Sequence, residues 1–352
     1  MSGVAVKTVN NEKMESPDYA QTSLAASLTL GFERGLFYRN ATLKGLNLLV
    51  TYNNKCAGNC SYCGLSRSRN ISESKTFIRV SWPTYAVDEM IDAVNEKQHD
   101  LQRVCVGMIT HKKAVEDSIS IIKRFREETD LLISALVSPT VMEIGDLGRI
   151  KEAGADMCGI AVDAATEELF DTFRGQTVSG PHRWRRFWDA VEEGVIVFGR
   201  YKSGVHLIVG LGETEEEMVN AIQRAYALGA TTHLFSFFPE AGSKMENWPQ
   251  PHLGHYRRIQ LARYIINNHL GQADNMQFNS DGQLTDFGQD LEKFFEDGEA
   301  FMTSGCAGKD GKVACNRPYG NERPSQPIRN FPFMPTSKDL KLIRKQLWQG
   351  LK

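Results

Sequence analysis

The sequence predicts an α/β protein built as a (β/α)8 barrel of the TIM type, complete or nearly so, with an N-terminal helical arm and a C-terminal tail. Three observations lead there. About eight short runs rich in Val, Ile, Leu and Phe alternate with longer amphipathic stretches, the pattern of βα units around a parallel sheet. Helix start and stop signals fall inside the intervals between those runs. The chain has 352 residues and is 41% hydrophobic, enough to bury one large core.

In chain order, residues 1 to about 22 are polar and mixed in charge and are assigned no element. Leu24 to Phe37 carries apolar residues at helical spacing, interrupted by Gly31 and Gly35. The strand candidates are Leu46–Thr51, Arg103–Gly107, Leu131–Leu136, Met157–Val162, Val205–Val209, His233–Phe238, Asn275–Phe278 and Glu299–Thr303. Ser138-Pro139 opens a helical run to Ala153, Gly180-Pro181 precedes one over Arg183–Glu193, and Thr214 leads into Glu215–Ala227, closed by Gly229. The segments are therefore 1–40, arm and helix; 41–305, barrel; and 306–352, an extension rich in Pro, Arg and Asn before an amphipathic helix near Lys338–Leu351. That extension is expected to lie across one barrel mouth.

A formal net charge of -2 supplies no basic surplus, so nucleic acid is not an expected partner. Met1 to about Gln21 lacks the apolar core of a signal peptide, and no later stretch is apolar enough to cross a bilayer, so the expectation is a soluble, cytoplasmic protein without membrane contact. Seven cysteines in a chain of this size point to ligands, nucleophiles or buried apolar residues before disulfides.

Three of them, Cys56, Cys60 and Cys63, lie at spacings of four and three in Asn-Asn-Lys-Cys-Ala-Gly-Asn-Cys-Ser-Tyr-Cys-Gly, directly after the first strand candidate. Active sites of such barrels gather at the C-terminal ends of the strands. Three thiols on a short loop can hold three corners of a cubane iron–sulfur cluster and leave the fourth iron open. A structural zinc site is the alternative, but it wants four closed ligands, and the nearest further Cys or His, Cys105 or His99, belongs to a later element.

At these residues the sequence resembles the radical S-adenosylmethionine (SAM) superfamily, whose three-cysteine loop carries an aromatic residue before its last cysteine, here Tyr62. The resemblance implies a [4Fe-4S] cluster whose open iron is chelated by SAM, with Tyr62 near the adenine, and an electron donor such as ferredoxin or flavodoxin. Ile208-Val209-Gly210-Leu211-Gly212-Glu213-Thr214 joins a strand to a helix through two glycines. Such a turn serves either close approach to a ligand or simply a tight connection. It matches the family's fifth-strand motif, although His206 stands where that motif commonly begins with Gly.

The resemblance is closer to the biotin synthase-like branch, from about Leu36 to Thr303, through Ile-Val-Gly-Leu-Gly-Glu-Thr and Cys105-Val106-Gly107. It implies that Gly107 and Met108 meet the methionine amino group, that Asp163 at the end of the fourth strand helps hold the ligand, and that Arg183 pairs with the methionine carboxylate. Arg183 has Arg185 and Arg186 as neighbours, and a basic, solvated helix face is the other reading. His206 is inward-facing if its strand alternates and reads first as a satisfied core residue, with substrate contact as the alternative.

Four cysteines remain. Cys158 points outward by alternation and reads as a small buried apolar residue. Cys105 occupies the position of a biotin synthase cluster ligand, but Ser134-Ala135 and Gly204 replace the others. Cys306 and Cys315 bracket a loop at the barrel's open end; they are expected to grip a second, auxiliary iron–sulfur cluster from above, completed by Cys105 or a non-cysteine ligand, or else to be free thiols or a zinc knuckle. The tail from Cys306 through Cys-Asn-Arg-Pro-Tyr to Pro327-Ile-Arg-Asn-Phe-Pro-Phe333 resembles one component of the two-protein lipoyl synthase. That resemblance implies sulfur insertion into an octanoyl chain on a lipoyl carrier protein, with a companion radical SAM protein as partner. Arg317, Arg323 and Arg329 either grip an acidic carrier or orient the tail. The alternatives are another enzyme of the branch, such as biotin synthase, a methylornithine synthase-like mutase or a hydrogenase-maturation protein, or a non-catalytic iron–sulfur carrier.

Overall fold

The computed structural model describes residues 14–54, 56–69, 76–77, 79–318 and 327–351. The first part of the N-terminal arm, Lys55 and Arg323 lie outside them. The elements run β1 Tyr19–Thr22, α1 Leu24–Thr29, β2 Gly45–Val50, β3 Thr76–Phe77, β4 Val80–Ser81, β5 Thr84–Ala86, α2 Val87–Glu96, β6 Arg103–Gly107, α3 Ala114–Glu128, β7 Leu132–Val137, α4 Asp146–Glu152 and β8 Met157–Asp163. They continue with α5 Glu167–Arg174, α6 Trp184–Phe198, β9 Ser203–Val209, α7 Glu215–Leu228, β10 Thr231–Ser236, α8 Leu253–Asn267, β11 Gln277–Phe278, β12 Leu284–Asp286 and α9 Ser337–Leu347.

One sheet has the order β10-β9-β8-β7-β6-β2-β1-β5. Its six strands from β2 to β10 are parallel, in register from Leu46 beside Val104 to His206 beside His233. Strands covered on both faces can be apolar throughout, as in β2, where every residue is buried. The helices between them bury Ile121, Ile150, Trp188 and Ile222 against the sheet in one continuous core. Side-chain caps open α1, α5, α7, α8 and α9, at Ser23, Thr166, Thr214, His252 and Thr336. Thr214 and Glu217 form a reciprocal capping box on α7, and Gly229 closes that helix with φ +91°.

Two of the eight expected strands are corrected. Gln277–Phe278 pairs only with β12 in an antiparallel hairpin, and Glu299–Phe301 is a single 3-10 turn. A parallel strand needs a crossover of a dozen or more residues, usually a helix. Between β11 and residue 299 the chain makes a hairpin and one 3-10 turn and supplies no α-helix. The sheet instead gains β1 and β5, with β1 antiparallel to both its neighbours, and remains open between β10 and β5 among the described residues. Residues 19–22, given no element from sequence, thus belong to the sheet, and the expected helix from Leu24 stops at Thr29, just before Gly31 at φ +71°. Among the described residues no helix is long and apolar enough to cross a membrane.

The C-terminal segment is placed differently from expectation. The Lys44 amide donates to Asn316 Oδ1 at 3.0 Å, and Asn316 Nδ2 donates to the Thr42 carbonyl at 2.7 Å. Arg103 Nε donates to the Ala307 carbonyl at 2.6 Å while its two terminal nitrogens clamp Asp156 at 2.6 and 2.8 Å. Thr42, Lys44 and Arg103 all mark the N-terminal ends of parallel strands. Residues 304–317 therefore close the bottom of the sheet, opposite the Cys56 loop.

Candidate active site: one cavity between two sets of thiols

The loop after β2 is fastened by its backbone. The Ala57 amide donates to the Thr110 carbonyl (2.8 Å), that of Ser61 to Phe173 (2.7 Å), and that of Met245 to Ser61 (3.2 Å). Two further amides point at sulfur, Gly58 N at Cys56 Sγ and Leu65 N at Cys63 Sγ, both at 3.3 Å. All three cysteines are free thiols and line a cavity of about 300 Å³ inside the sheet. Burial pushes the Cys60 thiol up to about 11 and Cys63 well above its ordinary value. A thiolate here needs a cationic partner, and loading iron on these sulfurs must release protons. Amide donors aimed at cavity-lining sulfurs suit an anionic thiolate-bound cluster, so the loop fits the group inferred for it.

Beside the loop, Tyr62 donates its hydroxyl to Asp163 Oδ2 at 2.5 Å. Asp163 ends β8 with φ +67°, a strained value for a residue bearing a side chain. Arg174, the last residue of α5, donates to the same carboxylate oxygen at 2.7 Å and to the carbonyls of Ala161 and Val162, and it stacks 4.6 Å from the Phe187 ring centroid. Burial raises the Asp163 carboxyl, and Arg174 and Tyr62 oppose that rise. The phenol of Tyr62 is raised chiefly by burial and stays a donor. His182, also in the wall, shares a hydrogen bond with Thr140 through Nδ1 at 2.6 Å; burial, then Arg174 and Arg183, lower it to about 2, so it is a neutral imidazole.

Gly107 and Met108 line the cavity as expected from their place at the end of β6. Arg183 does not line it: its guanidinium donates to the carbonyls of Gly180 and His182. Arg174 is the arginine of this wall that does face the cavity, paired with Asp163. Sequence reasoning missed it, although Phe170 and Arg174, four apart and both buried, put a cation on the apolar stripe of α5. Gly210 and Gly212 are likewise absent from the wall. They hold φ +107° and +123°, and a Cβ on Gly210 would stand 2.6 Å from Pro251 Cδ, so the turn is tight for packing. Ile208 and His206 of the same strand do reach the cavity, which for His206 favours the alternative of a cavity-facing residue over a core one.

The inner end of the cavity brings together Cys105, Cys306 and Cys315. The thiols of Cys306 and Cys315 bear electrostatically on Cys105, and burial lifts Cys306 to about 11. Asn47 Nδ2 lies 3.5 Å from Cys315 Sγ, Asn47 Oδ1 is buried with no hydrogen-bond partner among the described residues, and the Ser134 hydroxyl faces Cys105 and Cys306. The second trio is therefore approached from the bottom of the sheet, not from above. Cys105 precedes Thr110, whose carbonyl holds the Cys56 loop at Ala57, by five residues along one strand and its loop, a span of at most about 18 Å of backbone. Cys158 is on the opposite face of β8, fully buried, 3.4 Å from Ser203 Oγ, as alternation predicts. Among the described residues no three His, Cys, Asp or Glu side chains converge on one ion position.

The Radical SAM superfamily model matches residues 50–225. A curated relative, 3-methylornithine synthase of Methanosarcina acetivorans, is 20% identical over 225 residues, 63% of this chain and 60% of that protein. The chain thus spans three fifths of the curated relative it matches. Among solved structures, HydG, a maturase of the [FeFe]-hydrogenase, superposes with TM-score 0.50 at 14% identity, covering 70% of this chain and 53% of that one. The crystal structure of methylornithine synthase gives TM-score 0.47 at 15% identity over 68% and 67%.

Proposed function

The chain belongs to the radical SAM superfamily, and from that premise we propose that it is a two-cluster enzyme of the biotin synthase-like type that inserts sulfur at an unactivated carbon. Membership brings a [4Fe-4S] cluster and SAM. The observation that carries the finer reading is the second trio, Cys105, Cys306 and Cys315, at the inner end of the cavity that the first trio opens. When bound, the first cluster supplies the electron that cleaves SAM and so allows hydrogen abstraction from carbon, and the second supplies sulfide. The chain's own residues do the rest. Cys56, Cys60 and Cys63 hold the first cluster at the mouth. Tyr62, Asp163 and Arg174 form one hydrogen-bonded wall beside it, where the carboxylate is already ordered to receive ligand hydroxyl or amino groups. Met108, Leu136, Ile208 and Phe237 give the space between the trios an apolar lining that keeps water from a reactive carbon. An octanoyl chain presented by a lipoyl carrier protein, with a companion radical SAM protein, is one acceptor of this chemistry.

Iron and acid-labile sulfide counted per chain after anaerobic reconstitution test this reading. About eight of each fit two four-iron clusters, with loss of about half in Cys306→Ala and Cys315→Ala. About four in the unmutated protein overturns it. That result would favour a second reading, a rearrangement without sacrificial sulfur, which the kinship to 3-methylornithine synthase supports.

A further inference from the structure

The cavity contains a cation with no anionic partner among the described residues. Five charged side chains line it. Asp163 pairs with Arg174 at 2.7 Å, Glu240 accepts from the Arg79 amide at 3.1 Å and lies 4.0 Å from Arg69 beyond the wall, and the Arg79 guanidinium stacks 3.8 Å over Phe238. The fifth, Arg317, makes no hydrogen bond and no ion pair among the described residues, and its Nε is buried without an acceptor. It stacks on Phe235 of β10, with Cζ 4.1 Å from the ring centroid. Its backbone sits at φ +37°, a strained value for an arginine, so the fold constrains where this side chain emerges.

Next to Arg317 stands a second orphan. His233 is 5% exposed, and both of its ring nitrogens are buried with no partner. The ring fills the space where a side chain on Gly204 would be, since a Cβ there would stand 2.5 Å from His233 Nε2. His206 packs edge-on to it, ring centroids 5.5 Å apart, and also faces Phe235 at 5.0 Å. Burial, then neighbouring arginines, hold His233 down to about 3, so it offers a neutral N–H. Native interiors rarely leave such groups unmatched, and an isolated guanidinium in an apolar wall is costly. A planar carboxylate is the partner a guanidinium fork accepts best.

We infer that Arg317 and His233 form an anion subsite at the β9–β10 side of the cavity, which takes the carboxylate of a small-molecule acyl substrate. The inference rests on the cavity being the substrate site of the proposed function and names that substrate's class. It favours a free carboxylic acid over an acyl chain in amide linkage to a carrier. Arg317 then fixes the register of the chain between the two thiol trios, and so which carbon lies nearest the SAM end.

Calorimetric titration of the reconstituted, SAM-loaded protein with octanoate and with octanamide tests the subsite without turnover. Octanoate is expected to bind at least tenfold tighter than octanamide. Arg317→Gln abolishes that preference, Arg317→Lys retains part of it, and His233→Ala reduces it severalfold. Iron content and the electron paramagnetic resonance spectrum of every variant are recorded alongside. Equal affinity for acid and amide in the unmutated protein overturns the inference. So does an Arg317→Gln variant that keeps its preference, or one whose lost affinity tracks lost iron, because Arg317 would then serve the second cluster. A chain with only four irons that still discriminates through Arg317 leaves the subsite standing and removes sulfur insertion.

Discussion

Replacing Arg174 by Met removes the cation that pairs with the Asp163 carboxylate inside the wall. In the native chain Nη1 of Arg174 serves three acceptors, Asp163 Oδ2 and the carbonyls of Ala161 and Val162, and its guanidinium lies over Phe170 and Phe187 at 5.0 and 4.6 Å. Arg174 is 5% exposed, so solvent does little to screen the loss. Breaking a buried pair from one side costs about 3–5 kcal/mol, a factor of roughly 10² to 10³·⁵ in the folding equilibrium. Asp163→Asn alone, which keeps a hydrogen-bonding group, costs about 1–3 kcal/mol. The double variant is expected to fall short of the sum by about 0.5–3 kcal/mol. The sign of the pH dependence follows from burial. Because the folded carboxyl titrates above its unfolded value, the folded state holds the proton more tightly, and stability falls as pH rises through the window above 3.8. Without Arg174 that window widens upward, so Arg174→Met gains more stability than the native protein when pH is lowered from 7 to 5. Urea denaturation of the anaerobic protein at several pH values reads all of this. A loss under about 1 kcal/mol with no coupling to Asp163 would refute the reasoning.

Three further outcomes are expected. Glu215 and Arg258 are each 1% exposed and bond through both carboxylate oxygens at 2.8 and 2.6 Å, so Glu215→Gln should cost about 3–5 kcal/mol and lower the melting temperature without changing iron content. Gly210→Ala meets both a positive φ and the Pro251 ring, and should cost at least about 1–3 kcal/mol, whereas Gly148→Ala, inside α4 with nothing within 4 Å of the added carbon, should stabilise by about 1 kcal/mol in the same melting assay. Cys158→Ala should leave iron per chain unchanged and Cys105→Ala should lower it, since only Cys105 faces the cavity.

The parallel strands were legible because both of their faces are buried, which leaves apolar runs such as Leu46 to Val50 that need no periodicity to stand out. Strands β1 and β5 were not. At four and three residues, they are held by backbone pairing to β2 and to each other, and Tyr-Ala-Gln-Thr carries almost no side-chain signal. The three-cysteine loop was readable as chemistry because its spacing is local. The tail was readable as chemistry but not as position: Asn316 meets Lys44 across 272 residues of chain, and nothing in either neighbourhood announces the other. Motif spacing points to Arg183, while its side chain turns to local carbonyls. Arg174 has no motif, only its place on a buried helical face.

The central claim is that the Cys56 loop and the wall beside it cleave SAM. Anaerobic incubation of the reduced, reconstituted protein with SAM, followed by quantification of 5′-deoxyadenosine, tests it most directly. The account predicts product from the unmutated chain and from Cys306→Ala, and none from Cys56→Ala, Cys60→Ala or Cys63→Ala. Absence of 5′-deoxyadenosine from a chain whose cluster is intact and reduced would contradict it.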